Sequence, residues 1–276
     1  MAIPVVVLNL KSSPDRRAKI GARLDALGIA HRFFDAIDGR KLPADELERL
    51  APPAALLFNQ PLKAGEIGCA ASHLAAIRDI ANGADAFVCT LEDDAELSSP
   101  DIARFLDPAL LTELPPFDVL RFVSDPERWR MPAWPVAHVD DRGIYAMARP
   151  GWGLQGQVIS RAGARKIAAQ VSAIRAPIDF ALYHDCHVQG LRVLEVRPGL
   201  IEHDRKLAEP ALMQLSVIGN RPPPDKSRMS AAERWRLRGW RWRRKAMAVT
   251  GFFRVWGVGA FVTRVLPWWP PGTYFR

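Results

Sequence analysis

Three consecutive carboxylates, Glu92-Asp93-Asp94, follow the apolar run Phe87-Val88-Cys89-Thr90-Leu91 without a gap. Hard divalent cations take oxygen ligands, and a D-x-D-like arrangement supplies two carboxylates while leaving coordination positions open for phosphate oxygens. Glu92 and Asp94 hold the outer positions, with Asp93 between them. A cation held there would stabilise a departing diphosphate. A solvated acidic turn has the same composition, so the triplet by itself leaves both readings open.

Other residues with chemical potential stand at comparable places. Asn9 and Arg16 fall at the end of the first apolar run and the start of the first helical pattern, a position suited to phosphate contacts. Arg17 reads as a solvated helix charge. Asp38 belongs to an Asp-Gly turn. His73 lies near the apolar face of a helical pattern, where a buried, hydrogen-bonded histidine is the plain alternative to a ligand contact. Asp179 opens another helix, where a carboxylate is favoured by the helix dipole whatever its role. His184 and His187 share a helix face beside Asp185, but with no fourth ligand in view they read as a solvated surface.

Alternating strands and helices must position these groups. Residues 5–10 form a short run of β-branched residues suited to a strand covered on both faces. Ser13 and Pro14 then open a helix that Gly28 closes. Residues 31–36 form a second strand, 65–83 a helix, and 87–91 a strand whose carboxyl end carries the acidic triplet. Open α/β sheets bind ligands at such ends. Residues 119–123 and 155–160 give further strands, 126–135 a loop, and 162–171 a helix capped by Ser160. A helix from Pro177 to about residue 189 and a strand at 191–196 follow. The alternation predicts an α/β fold with a mainly parallel central sheet and helices on both faces.

The ordered set Asn9-Leu10, Ser13-Pro14-Asp15-Arg16-Arg17, Ala36-Ile37-Asp38-Gly39, Gly65-Glu66-Ile67-Gly68-Cys69-x-x-Ser72-His73 and Leu91-Glu92-Asp93-Asp94 resembles glycosyltransferase family 25. The resemblance continues through Ile159-Ser160-Arg161-x-Gly163-Ala164, Pro177-Ile178-Asp179 and Arg197-Pro198-Gly199-Leu200-Ile201, covering about residues 3–205. It implies a GT-A-like nucleotide-sugar-binding domain, a UDP-sugar donor, Mn²⁺ or Mg²⁺, and transfer of galactose or glucose with inversion. The acceptor would be a lipid-linked saccharide of the cell envelope. Within that frame Asp94, Glu92 and a late histidine, His203, are the metal ligands. Asn9, Arg16, Asp38, His73, Glu92 and Asp93 contact the donor. Inversion in one displacement needs a general base, and Asp179 is the candidate.

Charge divides the chain. The formal net charge is +8, yet residues 221–276 carry thirteen Lys/Arg against two Asp/Glu, leaving the first 220 residues net acidic. Pro222-Pro223-Pro224 marks the boundary between a domain at 1–220 and a basic, aromatic helical extension at 221–276. Six of the nine tryptophans follow residue 230, interleaved with arginine. That composition suits attachment to an anionic membrane surface. Arginine and tryptophan could equally stack on single-stranded nucleic acid, so a binding module with an inert α/β body is the competing class; no nucleic acid is expected as partner. A metal-dependent phosphohydrolase is a third reading. Cys69, Cys89 and Cys186 form no C-x-x-C pair, and the opening residues read as a strand without a basic leader. Together these features predict a cytoplasmic protein, peripheral at the inner face of the membrane.

Overall fold

The computed structural model describes residues 1–52, 61–123, 134–147, 153–184 and 190–202, together with nine positions between 230 and 256. Its strands are β1 (Val5–Asn9), β2 (Arg32–Asp35), β3 (Phe87–Glu92), β4 (Glu96–Leu97), β5 (Val119–Arg121), β6 (Ala137–Val139), β7 (Arg142–Ala146), β8 (Gly156–Ser160), β9 (Val193–Arg197) and β10 (Ile201–Glu202). The α-helices are α1 (Pro14–Ala26), α2 (Ala44–Leu50), α3 (Ala64–Asn82), α4 (Pro108–Glu113) and α5 (Arg161–Gln170).

Eight strands form one sheet in the order β2-β1-β3-β8-β5-β9-β7-β6, and β10 pairs with β4 in a separate ribbon. β1 runs parallel to β2 and β3, and β5 parallel to β9, but β8 is antiparallel to both β3 and β5, and β7 to both β9 and β6. The sheet is therefore mixed, which corrects the expectation of a mainly parallel one. Central strands covered on both faces are apolar whichever way they run, so hydrophobic runs carry no record of direction. The mixed α/β architecture with its large central sheet is consistent with a GT-A-like fold.

Two cores lie on the two faces. On one, Ile20 and Leu24 of α1 pack with Val5, Val7, Cys89, Leu91, Leu120 and Val158. On the other, Ala70, Leu74 and Ile77 of α3 and Ala164 and Ile167 of α5 pack with Val6, Val88, Val119, Ile159 and Val193. Alternate residues of each strand thus face opposite helical layers.

Several local expectations are revised. Ser13 stands at the N-cap of α1 but makes no side-chain cap bond; its carbonyl accepts from Asn9 Nδ2 and Arg17 N instead. Ser160 does cap α5, accepting from Gly163 N at 3.0 Å. The helix expected from Pro177 is present in its described part, with Ala181 N bonding to Pro177 O at 2.9 Å and the last turn, Phe180–His184, wound as a π-helix; residues 185–189 lie outside the described residues. The β6-β7 hairpin, whose turn holds Asp140 at φ 53°, has no counterpart in the sequence reading.

One contact fixes α3 against the first strands. The backbones of Gly39 and Gly68 meet so closely that a Cβ on Gly68 would lie 2.4 Å from Gly39 N and 2.6 Å from Ile37 O. Ser72 Oγ, four residues on, accepts from Ile37 N at 2.8 Å and donates to Gly68 O at 2.7 Å. No side chain fits between these backbones.

A buried polar row crosses the second face, because Thr90, Gln157, Arg121, Glu195 and Tyr145 are register partners on adjacent strands. Arg121 and Glu195 are 1% and 0% exposed, and Arg121 Nη1 donates to Glu195 Oε2 at 2.8 Å. Arg197 also pairs with Glu195.

Gly68→Ala is expected to lose about 2–3 kcal/mol in urea unfolding, because backbone must move to admit the methyl group. Gly21→Ala, whose new Cβ would find its nearest neighbours at 3.6 Å, should be neutral or gain up to about 1 kcal/mol. Arg121→Met should cost about 3–5 kcal/mol by leaving a buried carboxylate short of a partner. Arg49→Met, which breaks an exposed pair with Glu46, should cost less than about 1 kcal/mol in the same assay.

Candidate active site

The carboxyl ends of β1 and β3 are adjacent, with Leu8 opposite Glu92, and the chain leaving each strand carries polar groups toward the other. The acidic triplet divides between the two helical layers. Asp93 is held from the α1 side: Asn9 Nδ2 donates to its Oδ2 at 2.8 Å and Arg16 Nη1 to its Oδ1 at 3.2 Å. Glu92 is held from the α3 side, its Oε1 lying 2.8 Å from Nε2 of His73. His73 is 3% exposed, so this imidazole is fixed by packing as well as by the carboxylate.

Asp94 is left with little compensation. Its Oδ2 lies 3.9 Å from Arg16 Nη1, while its Oδ1 is buried with no hydrogen-bond partner among the described residues. Burial, reinforced by the charges of Glu92 and Asp93 and opposed by Arg16, pushes its carboxyl up to about 7. The side chain is still one-third exposed, so the isolated oxygen is covered while the group keeps an open side. Asn9 Oδ1 is a second buried acceptor atom without a hydrogen-bond partner among the described residues. An oxygen-rich, anionic cluster with unsatisfied acceptors fits a hard divalent cation.

Asp179 joins the same neighbourhood from the late part of the chain. Its Oδ2 accepts from Gly153 N at 3.2 Å and its Oδ1 from Phe180 N at 2.7 Å. Burial raises its carboxyl above the ordinary range, the charge of Glu92 adds to the rise, and the two backbone donors and Arg121 oppose it. Gly153, at φ 90°, also gives its carbonyl to Arg121 Nη2 at 3.2 Å. A single residue, Gly153, therefore links the buried Arg121 to Asp179 through its N–H and its carbonyl, in a backbone conformation that glycine adopts without strain. The Arg121 guanidinium stacks 4.5 Å over the Tyr183 ring, and Tyr183 donates its hydroxyl proton to Gln157.

Cys69 stands one turn before His73 on α3. Its sulfur lies within 4.8 Å of the His73 and Glu92 ligand atoms, and burial followed by the charges of Glu92, Asp179 and Asp94 raises its thiol well above the ordinary value.

Asn9, Arg16, His73, Glu92, Asp93 and Asp94 are thus brought together, with Asp179 alongside. Asp38 is occupied differently: its carboxylate caps the turn at Gly39–Lys41 and takes two guanidinium bonds from Arg40 at 2.8 Å, which hold it below the ordinary range. Arg17 is less free than a solvated charge, since its guanidinium lies 4.0 Å over the Phe33 ring. His203, Asp185 and His187 lie outside the described residues, as does the side chain of His184. Arg121, Glu195 and Cys69 were not among the expected site residues. The signal for the first pair was present, one charge of each sign interrupting an otherwise apolar strand.

The fold and site define an α/β protein with an anionic cluster of side chains at the carboxyl ends of its strands. Residues 2–182 match the family described as glycosyltransferase family 25 (LPS biosynthesis protein), and the chain belongs to that family. It is 30% identical over 174 residues to a "Glycosyltransferase 25 family member" of Aedes aegypti, covering 59% of this chain and 27% of that protein. It is 24% identical over 233 residues to the "Lacto-N-neotetraose biosynthesis glycosyltransferase LgtE" of Neisseria meningitidis serogroup B, covering 78% of each. A "Probable inactive glycosyltransferase 25 family member 3" of Bos taurus is 28% identical over 186 residues, covering 63% of this chain and 30% of that protein. The chain thus spans less than a third of the insect and bovine relatives and most of the bacterial one.

Because the folded-state Asp94 carboxyl titrates above its ordinary value of 3.8, folding favours its protonated form. That contribution to stability is fully present at low pH and is lost as pH rises through about 7. In metal-free buffer Asp94→Asn should therefore melt higher than the parent at pH 8, with the difference shrinking toward pH 4. A difference independent of pH would contradict the assignment.

Proposed function

We propose that this chain transfers galactose or glucose from a UDP-sugar to a lipid-linked saccharide acceptor in envelope lipopolysaccharide or lipooligosaccharide synthesis, with inversion at the anomeric carbon. The observation that carries this reading is the buried, unpartnered Asp94 oxygen among three carboxylates at the end of β3, in a chain of family 25. The bacterial relative's name, which specifies biosynthesis of an oligosaccharide, supports the acceptor class.

Glu92 and Asp94 would hold Mn²⁺ or Mg²⁺, with His203 as the further ligand. The ion supplies charge neutralisation to the leaving diphosphate. Arg16 would bind phosphate oxygens beside it, while Asn9 and His73 hold Asp93 and Glu92 in orientation. Asp179 receives the acceptor's hydroxyl proton. The acceptor oxygen forms its bond to the anomeric carbon as the bond to the donor phosphate breaks, and UDP departs with the electron pair. A base held near neutrality is matched to this task, and burial beside Glu92 moves Asp179 in that direction.

The 221–276 segment is proposed to lie on the anionic cytoplasmic face of the membrane. Trp235, Arg238 and Trp242 are exposed, a pairing of indole and guanidinium groups that suits an anionic surface. Val255, in contrast, is buried, and Trp256 packs against the first core. Among the described residues, no helix is long and apolar enough to cross a membrane.

A second reading follows from the relatives named inactive: a family member that binds donor without transferring it. Thermal shift with a panel of UDP-sugars, with and without Mn²⁺, and product analysis on a lipooligosaccharide acceptor separate the two. A matched donor at 100 times its Kd should stabilise the fold by about 2.7 kcal/mol. Asp94→Asn should abolish the Mn²⁺-dependent part. Asp179→Asn should keep the donor shift and lose transfer by about 10²–10⁴-fold. Donor binding without product in the parent protein would favour the inactive reading, and full transfer by Asp179→Asn would remove it as the base.

A further inference from the structure

The hard-cation reading uses Glu92 and Asp94 and leaves Cys69 without a role. Cys69 and His73 are four residues apart on α3 and so share one face of the helix, directly over the end of β3. Their ligand atoms and a Glu92 carboxylate oxygen all lie within 4.8 Å of one another. His73 is buried, and Cys69 and Glu92 are half-buried. One thiol, one imidazole and one carboxylate form a borderline-soft donor set, unlike the all-oxygen sets that Mn²⁺ and Mg²⁺ prefer.

Geometry permits closure. Zinc binds sulfur at about 2.3 Å and nitrogen or oxygen at about 2.0–2.2 Å, so tetrahedral neighbours stand about 3.3–3.6 Å apart. His73 Nε2 and Glu92 Oε1, now at 2.8 Å, would open slightly, while the sulfur would approach by about 1 Å. Both movements are within the reach of side-chain torsions. The carboxylates of Glu92, Asp94, Asp179 and Glu66 surround the sulfur with a negative field that favours a dication. Binding releases the thiol proton to solvent and leaves the imidazole neutral, its remaining proton on Nδ1.

We propose that Cys69, His73 and Glu92 form a second, thiophilic cation site of the zinc type, with a fourth position open, and that its occupation inhibits the enzyme by withdrawing Glu92 from the acidic triplet. The inhibitory part rests on the proposed transferase activity; the binding part does not. Softness separates the two sites, since the ion that prefers a thiolate is not the one that prefers carboxylate oxygens.

Co²⁺ titration of the full chain tests the binding directly, because a thiolate ligand produces a sulfur-to-cobalt charge-transfer absorption. The expected result is a band that saturates at one cobalt per chain, disappears on adding Zn²⁺, persists in Cys186→Ser, and is lost in Cys69→Ser. Glu92→Gln should weaken cobalt binding at least about 10-fold. A band that survives Cys69→Ser, or cobalt affinity unchanged by Glu92→Gln, overturns the three-residue site. In the activity arm, Zn²⁺ should inhibit Mn²⁺-supported transfer by the parent, and Cys69→Ser should retain that transfer while needing at least about 10-fold more Zn²⁺. Equal inhibition of both would overturn the regulatory role. If no transfer is found, the cobalt result still stands or falls by itself.

Discussion

The concentration of negative charge where β3 ends is the constraint around which the site is built. Two like charges about 4 Å apart repel by about 4 kcal/mol at the effective dielectric of a protein surface. Glu92, Asp93 and Asp94 are consecutive, and Asp179 is near enough to feel the charge of Glu92. The protein compensates unevenly. Asp93 has Asn9 and Arg16, Glu92 has His73, and Asp94 has only the edge of Arg16. Burial raises its titration point, the charges of Glu92 and Asp93 add to the rise, and a bound cation would relieve both.

Such a cluster persists only if its supports are rigid. α1 delivers Arg16 from one face of the sheet, and α3 delivers His73 and Cys69 from the other. The depth of α3 is set by the Gly39–Gly68 contact and by Ser72, which bonds both partners of that contact. A shift of α3 by the width of one methyl group would carry His73 away from Glu92. The glycines and Ser72 therefore act on the site through position alone, although none of them touches a carboxylate of the triplet.

Much of this was legible in the sequence. Apolar runs located β1, β3, β5 and β9, helical periodicity located α1, α3 and α5, and the triplet's place at a strand end followed from where the run stopped. What escaped was information that periodicity does not hold. α4 is one and a half turns long, too short for a repeating apolar face, and β6 is three residues of mixed character. Arg121 and Glu195 sit in strands separated by more than seventy residues, so their pairing depends on a strand order that neither segment encodes by itself. Cys69 stands in the apolar stretch of α3 with no paired cysteine nearby in sequence, and its proximity to Glu92 appears only once helix and strand are packed.

The direction of β8 is the misread feature with the largest consequence for function. Because β8 runs against β3, its beginning rather than its end lies beside Glu92, and Glu92 N donates to Gln155 O at 3.0 Å. The residues that enter β8 are thereby delivered to the ligand edge, Gly153 among them, and Gly153 holds Asp179. In a wholly parallel sheet the chain entering β8 would lie at the opposite edge, and Gly153 could not join Asp179 to the strand ends of β1 and β3. A donor-side cluster built from the first hundred residues and a carboxylate from residue 179 meet because one central strand is reversed. The departure from the parallel pattern is what allows the late half of the chain to contribute chemistry to a site that the early half has already charged.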